Sequence, residues 1–498
     1  MDDSEAVAAS SVEGSLPDPS APPAPPRMAR VGGISATARM TALIVATALF
    51  MQNLDSTVVS TALPTMARAF GVAPVHMNVA LTSYLLALAA FIPASGWVAD
   101  RYGPRNVFRA AILVFTVGSI ACGAANSLPQ LVLARVLQGA GGAMMVPVGR
   151  LLLLRSIAKS EVVAAMAWLT MPALIGPLVG PPVGGFIVTW FSWRWVFDIN
   201  IPIGVLGIVL VSIYFEDTRE HQATRFDVVG FVFSAVAMAA TVFALETIGR
   251  GMVAPGLPVG ALVLGLAAIG GYAWHARRTR MPLLDLSLFR LPTFLVPVFA
   301  GTLFRIGVGA VPFLLPMMLQ LGFGLSPLQS GMITLAGSAG ALVMKPVAVG
   351  LLRRTGFRAT LVWNGVLSTV SLAIVGFFRP SWPMVAIYLV LLTGGFLRSL
   401  QFTAFNSLAY ADIPRERMSA ATSLYSTIQH LSTTLGVSAG AAILAVSMAA
   451  SGHTGPQLSD FTVGFLGVSL VMLLAAPAAL LMPRAAGDEM SGHRAHEE

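Results

Sequence analysis

Residues 41–64 read TALIVATALFMQNLDSTVVSTALP. The first ten carry no charge, and the stretch is long and apolar enough to cross a hydrocarbon core, which takes about 20 residues of helix. Yet it contains Asp55. A carboxylate at the bilayer centre costs about 2.5–3.5 kcal/mol on insertion scales, and residues kept at that cost usually carry function. The stretch therefore raises two expectations. The chain crosses a membrane, and Asp55 is a candidate working group.

The same apolar pattern recurs along the chain. Fourteen segments satisfy the length requirement: 40–60, 76–98, 107–125, 129–153, 161–189, 195–215, 227–247, 257–275, 293–320, 327–351, 359–378, 383–408, 419–449 and 461–482. Composition agrees. The chain is 56% hydrophobic and 10% charged, with a mean hydropathy of +0.79, whereas soluble domains are roughly 25% charged. One large soluble fold is excluded. The net charge of +8 does not point to nucleic acid, because the basic residues sit singly or in pairs between apolar runs. The single cysteine, Cys122, forms no intrachain disulfide. The acidic, Pro/Ala/Ser-rich start (DDSEAVAASSVEGSLPDPSAPPAPP, 2–26) reads as a disordered tail and not as a secretory signal. Met28 and Met40 stand as alternative starts.

Charge sets the orientation. With the N-terminus in the cytoplasm, 22 of the 30 Lys and Arg fall in cytoplasmic segments and four (Arg68, Arg194, Arg250 and Arg379) fall outside. This places both termini inside. The other four, Arg135, Arg305, Lys345 and Arg398, lie within spans. A weak internal repeat relates GWVADRYGPR (96–105), after span 2, to GLLRRTGFR (350–358), after span 10. Aligned on Gly103 and Gly356, Arg101 matches Arg354 and Arg105 matches Arg358. Repeats of this kind place a substrate site near mid-membrane between two bundles that rock.

Four further stretches carry a resemblance. GWVADRYGPR holds Gly96, Asp100, Arg101, Gly103 and Arg105. LVLARVLQGAGGAMMVPVGR (131–150) puts Arg135 and Gln138 one turn apart, followed by Gly139, Gly141 and Gly142. GPLVGPPVGG (176–185) sets Gly176, Gly180 and Gly184 every fourth residue, a flat stripe for helix contact, with Pro177, Pro181 and Pro182 in register. WRWVFDINIPIG (193–204) carries interfacial tryptophans, with Asp198 beside Arg194 as a surface pair. Together with LDSTVVSTALP (54–64), they make the chain resemble the 14-span drug:proton antiporter family of the major facilitator superfamily (EmrB/QacA-like), and within it the MdtD-type branch.

The resemblance implies an all-α membrane protein with the major facilitator fold, two six-helix bundles plus two inserted helices. The expected divisions are a tail at 1–39, a first bundle at 40–215, inserted helices and loop at 216–292, a second bundle at 293–482 and a tail at 483–498. It implies a proton-coupled exporter of the inner (plasma) membrane, monomeric, working on a small molecule and protons within lipid. No HExxH, phosphate loop or CxxC is present, so the chain reads as no enzyme and calls for no metal, cofactor or nucleic acid. Asp55 and Arg135 are the expected proton-coupling pair, lying at one depth and facing the central cavity. Gly96, Asp100, Arg101, Gly103 and Arg105 form an inner latch, and Gly176, Pro177, Gly180 and Gly184 an exporter motif.

Cation exporters need acids in the cavity, whereas the spans here offer essentially Asp55 as a deep acid against several cations. Arg305 and Arg398 are therefore expected to meet an organic anion or anionic chelate, since arginine suits carboxylates. Gln401 and Phe405 are placed on the Arg398 face together with Phe402, and Gln52 and Gln138 complete the cargo set. Lys345 is expected to snorkel inward, and His430 to be a satisfied helix–helix hydrogen-bonder. Broad multidrug efflux is the alternative reading, and a non-transporting sensor or scaffold a minor one.

Overall fold

The computed structural model describes residues 35–72, 77–216, 225–247, 253–254, 256–325, 327–483 and 486–491. The chain folds into fourteen long helices: α1 Ala36–Phe70, α2 Val79–Tyr102, α3 Pro104–Ala124, α4 Leu128–Ser156, α5 Val162–Trp190, α6 Trp195–Tyr214, α7 Val228–Thr247, α8 Gly256–Arg278, α9 Pro292–Gly322, α10 Pro327–Thr355, α11 Phe357–Val375, α12 Met384–Leu408, α13 Met418–Ser451 and α14 Leu458–Leu480. Thirteen of these positions meet the length and hydropathy needed to span. The remaining one, α5, has 29 residues and no charged side chain. Each helix is the predicted span of the same number, with most ends within a few residues. The exception is α1. Its apolar run fades near 60, but the helix continues to Phe70 and stops at Gly71, whose φ of 65° suits glycine and whose N–H caps the Ala67 and Arg68 carbonyls. Asp55 thus lies mid-helix rather than near its end.

Small residues set the packing. The α5 stripe lies flat on α1: a Cβ at Gly180 would sit 2.0 Å from Thr57 Oγ1, and one at Gly184 would sit 2.1 Å from Thr61 Oγ1. Gly139 presses on the Tyr84 backbone of α2, and Gly141 on Phe115 of α3. In the second bundle α10 and α12 cross in backbone contact, with a Gly395 Cβ 1.9 Å from the Gly337 carbonyl oxygen. Such close approach is how membrane helices gain contact without a hydrophobic driving force. The repeat recurs in conformation. Gly103 and Gly356 open α3 and α11 with φ of 82° and 70°, values that L side chains rarely adopt. The inserted helices α7 and α8 pack on each other, and α7 also lies along α2 and touches α13.

The hydrogen bonds joining the two six-helix bundles gather at one end, the end with the Arg-rich loops. Ser423 Oγ donates to the Pro93 carbonyl at 2.9 Å, and Ser419 Oγ donates to Asp100. Gly96 makes this crossing possible, since its Cβ would lie 2.8 Å from the Ser419 carbonyl oxygen. Arg150, which its position had assigned to a loop, is a buried residue of α4. It reaches across to Tyr410 Oη at 3.2 Å and Gln429 Oε1 at 3.3 Å. The basic end is closed.

Candidate functional site

Asp55 and Arg135 meet inside the first bundle. Arg135 Nη1 donates to Asp55 Oδ2 at 2.7 Å, and both side chains are fully buried. Gln138 Nε2 and Asn200 Nδ2 each donate to Asp55 Oδ1 at 2.9 Å, so the carboxylate accepts three hydrogen bonds. Arg135 is held further by the Ala80 carbonyl at 3.1 Å and Gln138 Oε1 at 2.6 Å. Its guanidinium also lies 4.5 Å from the Tyr84 ring centroid. Ser119 Oγ links Asn200, at 2.9 Å, to the Phe197 carbonyl. Five helices, α1, α2, α3, α4 and α6, therefore converge on one carboxylate. The cluster is sealed within the bundle and does not face an open cavity as expected. Such a pair can be strongly stabilising only because every partner is present: a buried charge left alone costs several kcal/mol.

Asn200 and Ser119 were not singled out in the sequence. Asn200 stands in WRWVFDINIPIG two residues after Asp198, and a neutral amide there gives no charge signal. Asp198 does not close the expected pair. Arg194 turns instead to the Gly123 and Ala125 carbonyls and to Asn126 Oδ1 at 3.0 Å. Gln52 is half-buried on α1, beside the Tyr84 hydroxyl.

The second bundle separates the residues that sequence spacing had grouped. Arg305 Nη2 donates to Tyr425 Oη at 2.6 Å and to Asn406 Oδ1 at 3.2 Å. Phe405 packs on Phe304 of α9, with centroids 5.9 Å apart. Gln401, however, faces α11, accepting from Asn364 Nδ2 at 2.7 Å and donating to the Leu361 carbonyl at 2.8 Å. Arg398 lies against Gly394 and Gly337 between α10 and α12, and no hydrogen-bond or ion-pair partner is found for it among the described residues. Arg398 and Gln401 thus leave the Phe402–Phe405 face. Arg150, from the other bundle, places its guanidinium 5.4 Å from the Tyr425 ring, and Arg305 lies 5.2 Å from the same ring. His430 Nε2 is buried with no hydrogen-bond partner in the described residues, contrary to expectation.

At the basic end Asp100 does form an interbundle contact, but with different partners from those expected. Arg155 Nη2 reaches Asp100 Oδ1 at 3.2 Å and Ser419 approaches the other oxygen. Arg101 is exposed, and Arg105 instead holds the Ser212 carbonyl of α6 at 2.5 Å.

The Major Facilitator Superfamily model matches residues 45–437 and 299–492. The chain belongs to the major facilitator superfamily. Within it, MdtD of Salmonella typhimurium, which bears a multidrug resistance name, is 40% identical over 447 residues, covering 88% of this chain and 93% of its own length. The MdtD of an Enterobacter species is 38% identical over 441 residues, with the same coverage. This facilitator-family chain is therefore of the MdtD-type branch and is a multi-pass membrane transporter. Two solved structures share the fold. The human organic anion transporter MFSD10 (TETRAN) has a TM-score of 0.64 at 13% identity, covering 89% of this chain and 99% of that one. The proton:xylose symporter XylE has a TM-score of 0.62 at 14% identity, covering 91% and 97%.

Proposed function

We propose that this transporter is a proton-coupled multidrug-type exporter working by alternating access. The observation that carries the reading is the sealed cluster around Asp55. Protonating Asp55 cancels the charge that compensates Arg135 and turns one acceptor oxygen into a donor. Arg135, Gln138 and Asn200 would then compete for a poorer partner, and α4 and α6 would shift against α1. A proton thus has a direct mechanical consequence in the first bundle. The multidrug cargo is supported by the names of the MdtD relatives. With the basic end in the cytoplasm, as the 22-to-4 charge bias expects, the closed end is the cytoplasmic gate. Gly96, Asp100, Gly103 and Arg105 then shape that gate, and Gly176, Pro177, Gly180 and Gly184 the α1–α5 contact.

A second cargo reading, a small organic anion, is favoured by one arrangement. Arg150 and Arg305 approach the same Tyr425 ring from opposite bundles, and helices α9 to α13 contain no Asp or Glu among their described residues. Arg305, Phe405 and Gln52 would contact cargo in either case. The test is uptake into inverted vesicles with an acidic interior, comparing a cationic dye with a tricarboxylate. Dye uptake that Asp55→Asn abolishes supports the exporter reading. Tricarboxylate uptake that Arg305→Ala abolishes moves the cargo to anions. Proton-driven uptake by Asp55→Asn at the unmodified rate would remove Asp55 from the mechanism.

A further inference from the structure

The second bundle holds a titratable group that this scheme does not use. Lys345 of α10 is 5% exposed. Its Nζ donates to Thr403 Oγ1 of α12 at 3.1 Å, and the Thr403 hydroxyl donates in turn to the Ser399 carbonyl at 2.9 Å. Among the described residues Lys345 has no other hydrogen-bond partner. The snorkelling expected from sequence does not occur, since the amine turns to α12.

No anion compensates it. Helix α5, packed against α10, has no charged side chain. Helix α12 contributes only Arg398, and α11 contributes Arg358, which holds the Leu480 carbonyl at 3.1 Å. The short helix Asp488–Ser491 contributes Glu489, paired with Lys159 at 3.3 Å. Further along α10 lie Arg353 and Arg354. An ammonium has three donors, and one hydroxyl satisfies one of them. An isolated charge in such a place is costly, and lysine, unlike arginine, can lose its proton to avoid that cost. The crossing is rigid: a Cβ at Gly340 would lie 1.9 Å from the Leu392 carbonyl oxygen, so the bundle has little room to bring in another partner.

We propose that Lys345 is a second proton-exchanging site of this transporter, a neutral amine while the basic end is closed and an ammonium when that end opens. The proposal rests on the proton-coupled reading above. Lys345 lies ten residues before the basic end of α10, about 15 Å along the helix. Arg135 and Asp55 lie nearer the opposite end, in the other bundle. Each bundle would then carry one proton group at its own depth, and the proton released by Lys345 would leave through the basic end.

The test uses the full chain in proteoliposomes with an entrapped pH indicator, a cationic dye as cargo and both fluxes measured across pH. Lys345→Gln is expected to move fewer protons per dye molecule and to flatten the pH profile. Lys345→Arg, which keeps the charge permanently, should lower turnover at least tenfold. Should Lys345→Gln fail to fold, Thr403→Val is expected to displace the pH profile while protons still move. An unmodified proton-to-dye ratio and pH profile in Lys345→Gln, with both altered in Asp55→Asn, would overturn the proposal and leave the coupling reading standing. A raised half-saturating dye concentration with an unchanged ratio would also overturn it, making Lys345 a cargo contact. Dye transport by the unmodified chain with no proton movement would instead bring down the coupling reading itself.

Discussion

Replacing Asp55 by Asn keeps the side-chain size and removes the charge. The structure sets the magnitude. The carboxylate accepts from Arg135 at 2.7 Å and from Gln138 and Asn200 at 2.9 Å. An amide would keep one acceptor and turn an NH2 group towards at least one of those donors, while Arg135 stayed buried without its counter-charge. Breaking a buried pair from one side costs about 3–5 kcal/mol, whereas removing both partners is often near neutral. Asp55→Asn and Arg135→Gln should each destabilise the chain by that amount, and the double variant should recover most of the loss. The assay is unfolding in detergent of all four proteins, read as a double-mutant cycle, beside proton-driven dye uptake. The double variant should be stable yet unable to accumulate dye. Single-variant costs that add to within about 0.5 kcal/mol would indicate independent sites and refute the sealed pair. Uphill accumulation by the double variant would refute its role in coupling.

Three further outcomes follow from other contacts. Cysteines at Gly96 and Ser423, where a Gly96 Cβ would lie 3.2 Å from Ser423 Cβ, should crosslink, stop transport and recover on reduction; full transport while crosslinked would mean this crossing need not open. Gly180→Val should destabilise by about 1–3 kcal/mol through overpacking in thermal unfolding, and Thr57→Ala should relieve part of that, because Thr57 Oγ1 is the atom met first. Burial alone would raise the Asp285 carboxyl, but hydrogen bonds from Ser287 and Arg417, with the Arg417 charge, hold it below the usual carboxylate range. Its stabilising contribution is therefore present above the unfolded-state pKa of about 3.9 and lost as pH falls through the lower folded value. The melting-temperature gap between the unmodified chain and Asp285→Asn should persist from pH 7 to 5 and close only in stronger acid.

The fold was legible because hydropathy reports lipid contact strongly, and glycine and proline registers mark tight crossings. The same signal failed at α1, where the helix continues past the apolar run to Phe70: hydropathy reports lipid, not helix. Asp55 and Arg135 stood out as charges in apolar runs. Asn200 did not, since a neutral amide costs too little to look unusual. Arg150 was taken for a loop residue because it lies near a basic end, although its partners are buried in the other bundle. The Arg398 face was wrong for a different reason. Spacing gives relative angles on one helix but not how that helix is rotated in its bundle, so Gln401 meets α11 while Phe405 meets α9.

The composition of the closed gate bears on whether one proton can open it. The contacts from Ser423 to Pro93, Ser419 to Asp100, and Arg150 to Tyr410 and to Gln429 are hydrogen bonds, with no interbundle ion pair among these four. At a net 0.5–1.5 kcal/mol each, they hold the gate by about 2–6 kcal/mol. Inverting a two-state population from 1:99 to 99:1 takes about 5.5 kcal/mol. Uncompensating the buried Arg135 releases a comparable 3–5 kcal/mol. The gate is therefore weak enough for a proton on Asp55 to tip. A gate of buried ion pairs at the same four places would hold more strongly than one proton could overcome. Replacing Ser423 by Asp and Pro93 by Arg should accordingly bias the transporter towards the closed state and slow turnover without changing protons per cargo.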